Sequence, residues 1–156
     1  EITTRLVGSE MCIRDRFRAG LPLHTGFLNM FDHADNAFVS AFRFYKDDEH
    51  HIVDVHIEYI AAPSLNDRTL LLVDPMLATG ESMELAWKAF LTKGKPAKLQ
   101  MACVIASQQG VKHMAELFPG DDVTLWCAAI DPVLDEHKYI VPGLGDAGDL
   151  AFGEKL

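Results

Sequence analysis

The chain has 156 residues, 49 % of them apolar and 24 % charged, with a formal net charge of −9 at pH 7. That length suits one domain with a sizeable core, and the apolar share belongs to a globular protein rather than a disordered one. The acidic balance disfavours a nucleic-acid binder, which needs a basic face to hold phosphates, and no apolar run approaches the roughly 18 residues that span a bilayer.

In chain order, residues 1–16 come first and carry no usable periodicity; their Arg14-Asp15-Arg16 run is charged where a buried strand would be expected. The stretch Leu6-Val7-Gly8-Ser9-Glu10-Met11-Cys12-Ile13-Arg14-Asp15-Arg16 resembles a translated sequencing-adaptor tail. The expectation is therefore a non-native or disordered tail over 1–16 and one folded domain over 17–156. Beyond it, Leu23, Phe27, Met30 and Phe31 recur at helical spacing, with Pro22 suited to a first turn. Residues 37–45 are rich in β-formers, 46–49 form a polar turn, and Val53, Val55, Ile57 and Tyr59 alternate with Asp54, His56 and Glu58. Two half-buried strands around a polar turn make a β-hairpin.

Residues 69–73, apolar after Thr69, predict a strand buried on both faces. A helix is expected over 81–93, with Met83, Trp87, Phe90 and Leu91 on one side and Gly94 as its stop. A strand over 99–106, a helix over 111–118 halted by Pro119-Gly120, and a strand over 123–130 follow. Strands and helices in alternation, with apolar central strands, predict an α/β fold on a parallel sheet. Ligands of such sheets lie beyond the carboxyl ends of the strands, which singles out Asp74, Ser107 and Asp131. Of the cysteines, Cys12, Cys103 and Cys127 are odd in number and lack metal-ligand spacing. Cys103 and Cys127 sit in apolar runs, as buried thiols of a reducing cytoplasm do.

The most informative stretch is Val73-Asp74-Pro75-Met76-Leu77-Ala78-Thr79-Gly80-Glu81-Ser82. A buried strand ends in a carboxylate, a short loop follows, and a helix begins within it. Free N–H groups and the helix dipole make such a helix start an anion site, and Asp74 could accept hydrogen bonds from two sugar hydroxyls. Capping of the helix by Thr79 or Ser82 would use the same residue types. This stretch resembles the phosphoribosyl pyrophosphate motif of type I phosphoribosyltransferases, in the Asp-Pro-Met-Leu-Ala-Thr-Gly form of the uracil-specific branch. The resemblance implies that Asp74 binds the ribose hydroxyls and that Pro75, Met76, Leu77, Ala78, Thr79, Gly80, Glu81 and Ser82 complete the phosphoribosyl pyrophosphate site, the last five around the 5′-phosphate. Glu81 departs from the family's small residue, and a carboxylate beside a phosphate is electrostatically unfavourable.

Tyr139-Ile140-Val141-Pro142-Gly143-Leu144-Gly145-Asp146-Ala147-Gly148-Asp149 holds three glycines and a proline, which fix a backbone trajectory able to present N–H and C=O groups to a flat polar ring. It resembles the family's uracil-binding loop, which implies contacts from Ile140, Gly145, Asp146 and Ala147 to uracil, with Asp146 also facing the phosphoribosyl group. Arg18, in Arg18-Ala19-Gly20-Leu21, resembles the family's pyrophosphate loop, and Arg43 matches a further arginine that reaches the pyrophosphate from the hairpin. In the family an apolar strand precedes the first of these; here the charged tail stands in its place. The resemblance therefore implies a truncated reading frame, and a chain inactive or poorly soluble by itself. His50, His51 and His56 lack a cysteine partner for a metal site, and Asp131 and Asp135 suit turn caps as well as acid–base work.

The resemblance runs from about Phe17 to Leu156. It implies a uracil phosphoribosyltransferase with a Rossmann-like parallel-sheet core and the hairpin as a hood. The expected substrates are uracil and phosphoribosyl pyrophosphate, with Mg²⁺ bound through the substrate's pyrophosphate and no metal site of the protein's own. Asp74, Asp146 and Arg18 carry the chemistry in this reading, in a cytoplasmic homo-oligomer when full length. A non-catalytic nucleotide-binding regulator on the same fold is the alternative, favoured by Glu81 and the absent family N-terminus; an RNA-binding regulator is disfavoured by the charge.

Overall fold

The computed structural model describes residues 9–14, 19–45, 53–120 and 122–154. In chain order these form β1 (Ser9–Arg14), α1 (Leu21–Met30), β2 (Asp35–Tyr45), β3 (Val53–Ala61), β4 (Thr69–Val73), β5 (Met76–Leu77) and α2 (Glu81–Phe90). There follow β6 (Lys98–Ser107), α3 (Gln108–Leu117), β7 (Val123–Asp131), β8 (Val133–Leu134), β9 (Ile140–Val141) and α4 (Ala147–Phe152). Among the described residues the strands assemble into a 7-stranded sheet in the order β3-β2-β1-β4-β6-β7, with the two-residue β5 alongside β6 beyond the end of β4, and every pairing in it is parallel except β2 with β3. This is the α/β parallel-sheet fold expected from the alternation of elements.

Burial explains the strand patterns. In β4, Leu70, Leu71, Leu72 and Val73 are all buried, as a strand covered on both faces requires. Leu70 and Leu72 join Met83, Ala86, Ala89 and Phe90 of α2 and Met101 and Cys103 of β6 in one core layer. Leu71, Val73 and Ala102 point to the other face, against Leu23 and Phe27 of α1 and Phe31 at its C-cap. The predicted helix over 81–93 ends as an α-helix at Phe90, and Leu91–Lys93 tighten into a 3₁₀ turn before Gly94.

Three features differ from expectation. First, Ser9–Arg14 is a strand, between β2 and β4, with Cys12 in register with Ala37 on one side and Leu72 on the other. This strand lies within the stretch expected to be a non-native or disordered tail and fills the slot thought to lack its strand, which removes the ground for expecting a chain inactive by itself, namely a sheet missing that strand. The facing edges of β2 and β4 carry backbone N–H and C=O groups that need partners whatever the side chains of the strand between them. Only Met11-Cys12-Ile13 reads as the apolar run of a buried strand, too short a signal to mark it. Second, α3 begins at Gln108 rather than 111, because Ser107 caps it. Third, β8 and β9 form a small antiparallel ribbon, held at its turn by Asp135, whose Oδ1 accepts from His137 N and Tyr139 N at 2.9 Å each. The expected polar turn over 46–49, and His50 and His51, lie outside the described residues.

The hairpin itself stands as expected. β1 pairs with Asp35 to Val39 only, whereas β3 pairs with β2 from Phe38 to Tyr45. The outer half of the hairpin thus projects past the carboxyl end of β1, and a register shift at Ser40/Ala41 marks where it departs.

Candidate active site

Asp74, Ser107 and Asp131, the residues that the topology rule singles out, stand at the carboxyl ends of β4, β6 and β7; Ser107 is in register with Asp131, whereas β4 ends opposite Ala102 and β5 takes up the pairing with β6 at Ile105 and Ala106. Asp74 continues the ladder of β4, its N–H donating to Ala102 O at 3.1 Å. Its Oδ1 accepts from Met76 N at 3.1 Å, which turns the chain at Pro75. Pro75 O accepts from Val104 N at 3.0 Å and Ile105 N at 3.2 Å, so the chain returns to β6 and pairs there as β5. The segment after Asp74 is thus a bulged continuation of the sheet rather than a free loop, and only Ala78 to Gly80 bridge it to α2.

Gly80 is the N-cap of α2 in the left-handed conformation, φ +84°, with no side-chain cap bond. Thr79 Oγ1 stands 3.4 Å from Glu81 N, too long for a firm cap. The capping explanation for Thr79 and Ser82 thus has only that one long bond behind it, and a helix start with Gly80 at its N-cap is compatible with an anion site. A Cβ at Gly80 would lie 2.8 Å from His113 Cδ2, so α3 packs directly against this turn. Beneath it, Glu84 is 9 % exposed and accepts from Lys88 Nζ at 2.6 Å, while His113 Nε2 lies 2.9 Å from its other oxygen. That buried carboxylate fastens α2 to α3 under the turn.

Glu81 is exposed at the first turn of α2. A carboxylate there interacts favourably with the helix dipole, and at an exposed position water screens its charge from a phosphate in the turn. Glu81→Ala is therefore expected to change phosphoribosyl pyrophosphate affinity by less than about 2-fold while lowering stability by roughly 0.3–1 kcal/mol. Calorimetric titration paired with denaturant unfolding checks both halves.

The second loop hangs from β7. Asp131 Oδ2 accepts from Gly143 N at 3.0 Å, tying the loop to the sheet. Ile140 is buried and acts as its apolar anchor, and the peptide bond between Val141 and Pro142 is cis. Gly143 and Gly145 take positive φ, +55° and +77°, conformations that side-chain-bearing residues rarely adopt. Asp146 then caps α4, Oδ1 accepting from Gly148 N at 2.8 Å and Asp149 N at 3.0 Å. Asp146 and Ala147 are half-buried and Gly145 is exposed.

Asp74 and the Ala78 to Ser82 turn are thus joined through the sheet, and the Ile140 to Ala147 loop is joined to them through Asp131, the register partner of Ser107. Arg43 lies in the projecting half of β2, in register with Val55. Arg18 lies outside the described residues. Of the residues that sequence reasoning left without a role, Gly110 and the Glu84–His113 pair matter most. Ser107, ahead of a periodic helix, is an N-cap signal and places Gly110 in the first turn of that helix. Nothing in the sequence alone marks the second.

Cys103 lies beside Asp74 and in register with Cys127. Burial above all, then Cys127 and Asp74 as neighbouring charges, pushes its thiol up to about 12. A thiol protonated at neutral pH is no nucleophile, so Cys103 is a packing residue.

The family profile described as "Uracil phosphoribosyltransferase" matches residues 2–154. A uracil phosphoribosyltransferase from Porphyromonas gingivalis is 63 % identical over 139 residues, 89 % of this chain and 63 % of that protein. One from Limosilactobacillus fermentum is 39 % identical over 152 residues, 96 % of this chain and 69 % of that protein. The chain spans 63 % of the length of the Porphyromonas relatives. Among solved structures, the AQ2163 protein from Aquifex aeolicus superposes with a TM-score of 0.77 at 30 % identity, covering 94 % of this chain and 66 % of that one. An adenine phosphoribosyltransferase from Rhodothermus marinus, at 16 % identity and TM-score 0.57 over 82 % of this chain and 72 % of that one, shares the fold.

Proposed function

This chain belongs to the uracil phosphoribosyltransferase family, and on that premise we propose that it joins uracil to phosphoribosyl pyrophosphate, giving UMP and diphosphate. The observation that carries the reading is the placement of two loops at one end of the sheet. One is a carboxylate-led turn onto a helix start, suited to a sugar phosphate. The other is a glycine-shaped loop suited to a base.

In this reading a ring nitrogen of uracil attacks the anomeric carbon, the bond to the diphosphate oxygen breaks, and the nitrogen's proton leaves. Positive charge develops on the ribose in between. The protein's work is mostly positioning and electrostatics. Asp74 accepts from the ribose hydroxyls, and Pro75 to Leu77 hold it in place. Ala78 to Ser82 surround the 5′-phosphate with N–H groups. Ile140, Gly145 and Ala147 hold uracil, with Asp146 between base and sugar. Arg18 and Arg43 fork onto the diphosphate, and the β2–β3 hairpin closes over it as a hood that excludes water.

Among the described residues no cluster of three or more His, Cys, Asp or Glu side chains could hold a metal ion. A cation here would need the substrate's own oxygens, the mode that Mg²⁺ favours. Carried on the diphosphate, Mg²⁺ supplies neutralisation of leaving-group charge; Asp74 and Asp146 are the nearby oxygen donors of this chain. Among the described residues no helix is long and apolar enough to cross a membrane; a cytoplasmic homo-oligomer that binds no nucleic acid belongs to the same proposal. Glu81, one of the two features behind the non-catalytic alternative, is exposed, where water screens its charge from a bound phosphate. Chromatographic detection of UMP from uracil and phosphoribosyl pyrophosphate tests the reading, with product expected only when Mg²⁺ is present.

A further inference from the structure

We propose that Ser107 is a positioning residue for the phosphate turn, beyond its role as the cap of α3. The inference rests on the functional reading above, since it concerns the same site. Ser107 is completely buried, and its hydroxyl makes two bonds, accepting from Gly110 N at 2.9 Å and donating to Ala78 O at 2.5 Å. The bond to Gly110 is an ordinary N-cap. The bond to Ala78 is not one that the helix needs. It reaches across to the turn that follows β5 and fixes one of its carbonyls.

The consequence follows from peptide geometry. A trans peptide is planar, with its C=O and N–H pointing opposite ways. Fastening the Ala78 carbonyl to the start of α3 therefore turns the Thr79 N–H away from α3. Gly110 permits the same for the peptide before it. A Cβ at Gly110 would lie 2.5 Å from Ala78 O and 2.7 Å from Leu77 O, so only glycine lets both carbonyls rest against α3. Two successive peptides thus turn their carbonyls to α3 and the N–H groups of Ala78 and Thr79 to the opposite side. Successive N–H groups directed together make an anion receptor, continued here by the helix start after Gly80. The turn does not set its own shape; Ser107 and Gly110 set it.

Glycine at 107 separates the two roles, because it is nearly as good an N-cap as serine but has no hydroxyl to donate. Ser107→Gly and Ser107→Thr, the second keeping the hydroxyl, are titrated with phosphoribosyl pyrophosphate by calorimetry in the 156-residue chain. The glycine variant is expected to bind about 10-fold more weakly and the threonine variant within about 2-fold of the unsubstituted chain. In turnover, the glycine variant's KM for phosphoribosyl pyrophosphate rises while its KM for uracil holds. Equal affinity in the glycine variant, an equal loss in both variants, or a parallel rise in the two KM values overturns the proposal. If the unsubstituted chain binds no phosphoribosyl pyrophosphate, the functional reading itself fails, and this inference with it.

Discussion

Asp74→Asn is expected to lower kcat/KM for phosphoribosyl pyrophosphate by roughly 10²–10³-fold while leaving the fold intact. The substitution isolates charge from shape. Asp74 Oδ1 accepts from Met76 N, and a carboxamide oxygen can accept the same bond, so the turn through Pro75 survives. What is lost is the carboxylate. Charge-assisted hydrogen bonds from the ribose hydroxyls are about twice as strong as neutral ones, and a negative group beside the sugar favours the positive charge that develops there. Initial rates, compared with circular dichroism of the same samples, decide the matter. A variant with normal rates, or one whose loss tracks unfolding, would mean that Asp74 serves only the turn.

The second large effect is expected at Gly143. A Cβ there would lie 1.9 Å from Ile140 O and 2.8 Å from Ile140 C, both backbone atoms, at a φ of +55°. Neither atom can yield without opening the β8–β9 ribbon. Gly143→Ala should therefore release the bond from Gly143 N to Asp131 Oδ2 and displace the loop. The expected cost is roughly 2–4 kcal/mol of stability. KM for uracil should rise by about 100-fold, with phosphoribosyl pyrophosphate affinity nearly unchanged, because the turn at Ala78 to Ser82 hangs from β4 and α3 instead. Unfolding curves and the two KM values check the split. A parallel loss of both affinities would show that the two loops form one unit.

Much of this arrangement was legible beforehand, and the physical reasons are specific. The apolar run of Thr69 to Val73 and the periodicity of Met83, Trp87 and Phe90 report burial, which is what side chains encode directly. The two motif loops were legible because their glycines and carboxylates satisfy needs of conformation and charge that few other residues meet. β1 was not legible, because its place in the sheet rests on backbone pairing with β2 and β4. β5 was hidden for a related reason, since Met76 and Leu77 look like loop residues until Pro75 O is seen to bond β6. Ser107 was placed correctly at a strand end, but its bond to Ala78 joins segments far apart in the chain. Glu84 and His113, on separate helices, meet only once both have packed, and no local pattern records that.

The measurement that tests the central claim most directly is a comparison of uracil with cytosine as acceptors for phosphoribosyl pyrophosphate, with Mg²⁺ and the 156-residue chain. A loop that fixes its backbone N–H and C=O groups against one ring pattern leaves them unpaired against another, which in favourable cases discriminates by about 10⁴-fold. The account predicts UMP from uracil and almost no product from cytosine. Equal rates with the two bases, or no UMP from uracil, would contradict it.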